Sequence, residues 1–326
     1  MRNFGPALLL LVAWPAWSQP VSGSMNVRWT AGAADCAATP QPPLQVHAYE
    51  PQTYIIRQSP CADFEANFIY LLIGSTQALL IDTGAVAEPN RMPLAAAIVR
   101  LLPGQGDARL PLLVVHTHGH ADHRSGDSQF VGLHSVRVVP SDLEGLRSSL
   151  GLNPWPTGLA HIDLGGRTLD VIPSPGHHPA HVVFYDHRTQ ILFSGDFLMP
   201  GRLLIDDLSD FRKSARRVAE FAREHPVTYA LGGHIELDEA GNTYSFGSTF
   251  HPRERPLQMT SADILALPAA LDDFNGFYSR HPHFVLSEPM HNLAALIAAG
   301  LLVISLLIWG VRRFRRGRKR LATSSR

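Results

Sequence analysis

Apolar residues in this chain gather in short runs separated by turn residues, and the runs read as strands. Residues 68–73 and 78–81 predict adjacent strands joined at Gly74-Ser75, and 112–115 predicts a buried strand. Further short strands are expected at 136–139, 169–172, 182–185, 191–193 and 228–231. Residues 91–102 predict a helix ended by Pro103-Gly104. Between the last two strands, Phe211, Ala215, Val218, Ala219 and Ala222 recur at helical spacing. Arg212, Lys213, Arg216, Arg217 and Arg223 then form a solvated basic face. Strands interleaved with helices in this order predict an α/β fold.

The two ends carry a different pattern. Arg2, an apolar run over 7–13 and Ala16-Trp17-Ser18 read as a signal peptide covering 1–18, cleaved after Ser18. Residues 293–311 contain no charge. At about 1.5 Å per residue, a helix of that length crosses the roughly 30 Å hydrocarbon core. Arg312, Arg313, Arg315, Arg316, Arg318, Lys319 and Arg320 follow at once, which predicts a basic cytoplasmic tail at 312–326. The expected organisation is an N-terminal extension at 19–66, a catalytic domain at 67–250 and a helical or stalk segment at 251–292, followed by the span. This places the domain in the periplasm, tethered to the inner membrane by a single pass.

Charge and cysteine content follow that partition. The chain has 28 acidic and 28 basic residues, yet nine of the basic ones lie outside the exported part, leaving 19 against all 28 acidic residues there. A surplus of negative charge disfavours nucleic acid as a partner and leaves a small molecule as the expected substrate. The two cysteines, Cys36 and Cys61, lie in the N-terminal extension. In an oxidising compartment they could form one disulfide, the alternative being two unpaired thiols.

The densest chemistry is His116-Thr117-His118-Gly119-His120-Ala121-Asp122-His123, directly after the strand at 112–115. Imidazole and carboxylate together suit borderline divalent ions, and His118, His120, Asp122 and His123 alternate so that one turn can present them to two adjacent ions. His116 precedes the motif and is expected to bond a neighbour instead.

Residues 117–123 resemble the signature of the metallo-β-lactamase superfamily, whose members hold one or two metals at the edge of an αββα sandwich. Leu80-Ile81-Asp82-Thr83-Gly84, Ser174-Pro175-Gly176-His177-His178-Pro179-Ala180-His181, Ser194-Gly195-Asp196 and Gly232-Gly233-His234 resemble further motifs of that family in the same order. The resemblance covers residues 67–236. It implies His118, His120 and His181 on a first metal, Asp122, His123 and His234 on a second, and Asp196 bridging. The metals would be two zinc ions, with iron or manganese as alternatives. His177 is assigned to packing or support of a ligand, and His178 stands where relatives often have Thr. Asp82 is expected to fix a ligand imidazole, to close a turn with Thr83-Gly84, or both. Asp122 could also carry a proton.

Two such ions lower the pKa of a shared water toward about 7 and stabilise the charge that develops during its attack. The aspartate at 196 resembles glyoxalase II thioesterases and lactonases, whereas true β-lactamases of the family mostly have Cys or Ser there. The expected reaction is hydrolysis of an ester, thioester or lactone by a metal-bound hydroxide. The alternatives are a β-lactamase, a mononuclear iron sulfur dioxygenase and a non-catalytic metal-binding protein.

Overall fold

In the computed structural model, which describes residues 20–323, consecutive residues of the apolar runs point into different layers. Phe68, Tyr70 and Leu72 join one cluster with Leu79, Ile81, Leu113 and Val115, whereas Ile69, Leu71 and Ile73 join another with Ala78, Leu80, Leu112 and Val114. Side chains of a strand alternate between faces, so a run that is apolar at every position marks a strand covered on both.

The first sheet runs in chain order through β1 (Leu44–Glu50), β2 (Thr53–Gln58), β3 (Phe68–Ile73), β4 (Ala78–Ile81), β5 (Leu112–Val115) and β6 (Val136–Val138). It is antiparallel from β1 to β4 and parallel from β4 to β6. Its first two strands lie in the stretch read as an N-terminal extension. Helix α1 (Leu94–Leu101) covers the outer face through Leu94, Ala95 and Ile98. A short helix α2 (Ala121–Arg124) follows β5, and α3 (Leu143–Leu150) starts at Asp142, whose side chain accepts the Gly145 amide at 2.9 Å.

The second sheet contains β7 (Ala160–Asp163), β8 (Thr168–Pro173), β9 (Val182–Asp186), β10 (Ile191–Gly195), β12 (Tyr229–Gly232) and β13 (Gln258–Met259), in the order β13-β12-β10-β9-β8-β7. Helices α4 (Leu208–Glu224) and α5 (Ser261–Asp272) cover it. Val183, Leu192 and Ala230 pack there against Phe211, Ala215 and Val218 of α4 and Ile264 and Leu267 of α5. Part of the basic side of α4 meets α5, where Arg216 pairs with Asp272 at 2.6 Å. Between the sheets, Phe68, Tyr70 and Leu79 face Val171, Phe184, Phe193 and Leu231. The layers are helix, sheet, sheet, helix, the αββα sandwich expected from the sequence.

A third, small sheet joins β11 (Arg202–Leu204), β15 (Val285–Ser287) and β14 (Tyr278–Arg280), in the order β11-β15-β14. Helix α6 (Pro289–Thr323) leaves directly from it. Its segment Pro289–Arg313 contains an 18-residue stretch of mean hydropathy 2.5, none of it buried, so it fits a transmembrane helix and includes the expected span. The expected signal peptide lies outside the described residues. Cys36 and Cys61 are joined in a disulfide, tying the N-terminal stretch to the loop after β2. The fully buried Arg57 of β2 pairs with Glu254, bringing residues beyond β12 onto the first sheet.

Candidate metal centre

The loops leaving β5, β8, β10 and β12 meet at one edge of the sandwich, where rigid strands end and side chains become free to converge. Gly233 lets them close. A Cβ there would lie 2.6 Å from Asp196 Oδ1 and 2.8 Å from His123 Cε1, closer than real Cβ contacts allow. Asp82, at the end of β4, has a left-handed φ of +65°, a conformation in which Asp is among the more tolerated residues.

Asp122, His123, Asp196 and His234 form one compact group, with one donor atom from each lying within 4.8 Å of the others. His123 Nε2 is 3.1 Å from Asp122 Oδ2 and 3.3 Å from Asp196 Oδ1. His234 Nε2 is 3.3 and 3.5 Å from the same two oxygens. A second group with the same spacing contains His118, His120 and His177. His118 Nε2 and His177 Nε2 lie 2.9 and 3.1 Å from His120 Nδ1. His177 also approaches Asp196 Oδ2 at 3.6 Å, linking the two groups. His181 falls outside the compact group, although its ring stacks on that of His118 with centroids 5.1 Å apart.

The remote ring nitrogens are held from behind. His123 Nδ1 meets Asp82 Oδ2 at 2.9 Å, His181 Nδ1 meets Ser174 Oγ at 2.8 Å, and His234 and His177 Nδ1 meet the carbonyl oxygens of Glu65 at 2.6 Å and Leu204 at 2.8 Å. A carbonyl or carboxylate oxygen can only accept, so Nδ1 of His123, His177 and His234 donates. In a neutral ring that leaves the Nε2 lone pair facing the site. Asp82 also accepts from the Thr117 amide at 2.8 Å and hydroxyl at 2.9 Å, so it both closes the turn and orients a ring. His116 Nε2 bonds Asp127 at 2.8 Å, away from the donors.

Electrostatics divide the site. Burial, reinforced by neighbouring imidazoles, pushes His118 and His181 well below the usual histidine range, so both are neutral at pH 7. Burial acts the same way on His123 and His234, but the carboxylates of Asp122 and Asp196 outweigh it and raise both, His234 to about 10. Burial would raise Asp122 and Asp196, yet His123 and His234 hold both well below the usual carboxylate range. Burial pushes the nearby Glu65 up to about 7, with His234 opposing.

Two buried donor atoms, His181 Nε2 and Asp196 Oδ1, have no hydrogen-bond partner. Orphaned polar atoms in a buried site are costly, and coordination to a cation would satisfy each of them. The surrounding donors are imidazole nitrogen and carboxylate oxygen, the set that zinc, iron and manganese accept. Thus the residues present fit metal ions.

Sequence reasoning left His177 outside the donors and gave no role to Asn67, whose amide donates to Asp122 Oδ2 at 3.2 Å. Proximity to His181 in one loop was the available signal for His177. Glu65 and Leu204 act through backbone carbonyls, which no motif marks. A cavity of about 280 Å³ opens beside His120, His177 and His178. His178, pushed down to about 4 by burial and neighbouring imidazoles, forms part of its wall.

The chain belongs to the metallo-beta-lactamase superfamily, whose model matches residues 62–234. Acyl-coenzyme A thioesterase MBLAC2 of Gallus gallus is 30% identical over 214 residues, spanning 56% of this chain and 77% of that protein. Hydroxyacylglutathione hydrolase of Aeromonas hydrophila is 31% identical over 160 residues, spanning 48% of this chain and 57% of that protein. Among solved structures, a metallo-beta-lactamase from Pontibacter korlensis aligns over 71% of this chain and 100% of its own, with 19% identity and a TM-score of 0.47. The two sequence relatives are hydrolases, and this chain is a hydrolase of the same superfamily.

Proposed function

We propose that this protein is a membrane-tethered, periplasmic hydrolase that holds two metal ions, most simply zinc, and cleaves an acyl thioester or ester. His118, His120 and His181 would hold the first metal, Asp122, His123 and His234 the second, and Asp196 would bridge them. The observation that carries this reading is the converging set of imidazoles and carboxylates, with Asp196 Oδ1 within it and His181 Nε2 on the ring stacked against His118 both lacking a hydrogen-bond partner. Thioester chemistry is supported by the names of the two sequence relatives, one an acyl-coenzyme A thioesterase and the other a hydroxyacylglutathione hydrolase.

When bound, such metals make water nucleophilic near neutral pH and polarise the acyl carbonyl. The chain's own groups do the rest. Asp82, Ser174 and the Glu65 carbonyl fix the rings of His123, His181 and His234, so the donors need not reorganise during reaction. Asn67 holds Asp122 from the side. Asp122 remains ionised and lies at the open side of its group, half-buried, where it can accept a proton from water and deliver it to the leaving thiol. His177 adds a fourth imidazole next to His120 and forms part of the cavity wall.

The test is hydrolysis of a thioester by the full chain in lipid vesicles. Activity should disappear with a chelator, return with added zinc, and be absent in His118→Ala. Hydrolysis that survives both chelation and His118→Ala would exclude the metal-dependent reading.

A further inference from the structure

The cavity beside the metal centre is lined in part by the first two residues of the membrane-fitting helix: Pro289 and Met290 share it with Leu204 and with His120, His177 and His178. The connection between the site and the helix is short and rigid. His177 Nδ1 donates to the Leu204 carbonyl at 2.8 Å, and the next residue, Ile205, donates its amide to the Ser287 carbonyl at 2.8 Å. Strands β11 and β15 pair in parallel through Leu204 and Ser287, and α6 starts two residues after Ser287. Asn292, in the first turn of α6, donates from its side-chain amide to the Phe277 carbonyl at 3.0 Å and fixes the helix to the small sheet. The donors therefore cannot move far from the point where α6 would enter a bilayer.

Distances along the helix make the placement quantitative. Met290 precedes the uncharged stretch that begins at Leu293 by three residues, or about 4.5 Å at an α-helical rise of about 1.5 Å per residue. Met290 is 63% exposed and Leu204 39% exposed, both at the cavity. Phe277, whose ring lies 5.9 Å from that of His291 in the first turn of α6, and its neighbour Tyr278 are 45% and 43% exposed, aromatic side chains of the kind that favour a membrane interface. Apolar groups so exposed at a cavity mouth mark a surface covered in use. The start of a membrane helix says by what.

The geometry points to a substrate class within the hydrolase reading: an acyl thioester or ester resident in the bilayer, whose chain reaches the metal centre from the leaflet past Met290 and Leu204. This rests on the function proposed above and narrows it. A cavity of about 280 Å³ lies at the lower end of the volumes that enclose small ligands, so it would hold the scissile group and the first part of a chain, the remainder staying in lipid. Asp206 at the cavity disfavours an anionic group beside the scissile bond. In the reaction the oxygen of water bonds to the acyl carbon and the carbon–sulfur or carbon–oxygen bond breaks. One proton leaves with the thiol or alcohol, and the product is the free acid.

The test uses the full, metal-loaded chain in phosphatidylcholine vesicles with two probes sharing one leaving group, S-palmitoyl-N-acetylcysteamine in the bilayer and S-acetyl-N-acetylcysteamine in water. The palmitoyl probe should be the better substrate. The ratio of palmitoyl to acetyl turnover should fall about tenfold in Met290→Glu, which sets a charge in the path of the chain. A nitroxide on Met290→Cys reads the placement without catalysis, and should collide more with membrane-dissolved oxygen than with an aqueous nickel chelate. Turnover of the acetyl probe alone, a ratio unchanged in Met290→Glu, or a nitroxide facing water would overturn the lipid-side substrate and leave the hydrolase reading intact. Failure to cleave either probe would overturn that reading itself.

Discussion

Asp82 and His123 lie 41 residues apart in sequence, yet Asp82 Oδ2 accepts from His123 Nδ1 at 2.9 Å with both side chains buried. The same carboxylate accepts from the amide and hydroxyl of Thr117, so one residue at the end of β4 fixes both the start of the donor loop and the ring at its end.

Removing that carboxylate should weaken the metal centre without touching a donor. Asp82→Asn, which keeps a side chain tolerant of left-handed φ, is expected to lower metal affinity and turnover by roughly 10–100-fold, the usual loss when a ligand-orienting group is removed. Asp82→Ala should also lower the melting temperature, because Ala fits the φ of +65° poorly. Metal titration and thermal melting of the two variants check both statements. Unchanged affinity in Asp82→Asn would contradict the orienting role.

Protons and metals compete for the same nitrogens. His234 is raised to about 10 and His123 is raised well above its usual range, so both rings are protonated at pH 7 and must release a proton to bind a metal. Affinity should therefore rise with pH from neutrality toward about pH 10, since fewer protons then remain to be displaced. Calorimetric titration at pH 7 in two buffers of different ionisation enthalpy should show proton release on binding. In His234→Ala less should be released.

The pair of half-exposed His187 and buried Asp170, 2.9 Å apart, should govern a separate pH effect on stability. The hydrogen bond that His187 donates to Asp170 raises His187 despite burial, a contribution fully present below the ordinary histidine value of 6.5 and lost as pH rises through the raised one. For Asp170 burial opposes, but His187 and His161 lower it, a contribution present above the ordinary value of 3.8 and lost as pH falls through the lowered one. The melting-temperature difference between wild type and Asp170→Asn should thus be greatest between about pH 4 and 6.5 and should narrow on either side. A difference independent of pH would contradict it.

The layers were legible where every residue of a run is apolar. The strands at 68–73, 78–81 and 112–115 coincide with β3, β4 and β5 because both faces of each are covered and only strands so placed lack polar positions. Strands β1 and β2 were not read. Gln45, His47, Arg57 and Gln58 interrupt them, and the ion pair that makes Arg57 tolerable in the interior comes from Glu254, almost two hundred residues away. Strands β11, β14 and β15 have three residues each, too few to carry a period. In the site, a tight sequence cluster announced the residues from His118 to His123. His177 is marked only by sharing the His181 loop, Asn67 joins through folding, and the supports from Glu65 and Leu204 are backbone atoms without a sequence signature.

The disulfide and the address can be tested together. Cys36 and Cys61 close a loop of 25 residues, and a crosslink of that length stabilises by on the order of 3 kcal/mol. Cys36→Ala or Cys61→Ala should lower the melting temperature while leaving metal content intact, since neither cysteine is a donor. Protease added to spheroplasts should remove the domain and spare the basic tail. Protection of the domain would contradict the periplasmic placement.

The central claim is two metals bridged by Asp196, and metal content per chain tests it most directly. Purified wild type loaded with zinc should contain about two metals per chain, as a two-metal site requires, and Asp196→Ala should lose at least one of them. A wild-type value of one, unchanged in Asp196→Ala, would contradict the dinuclear account.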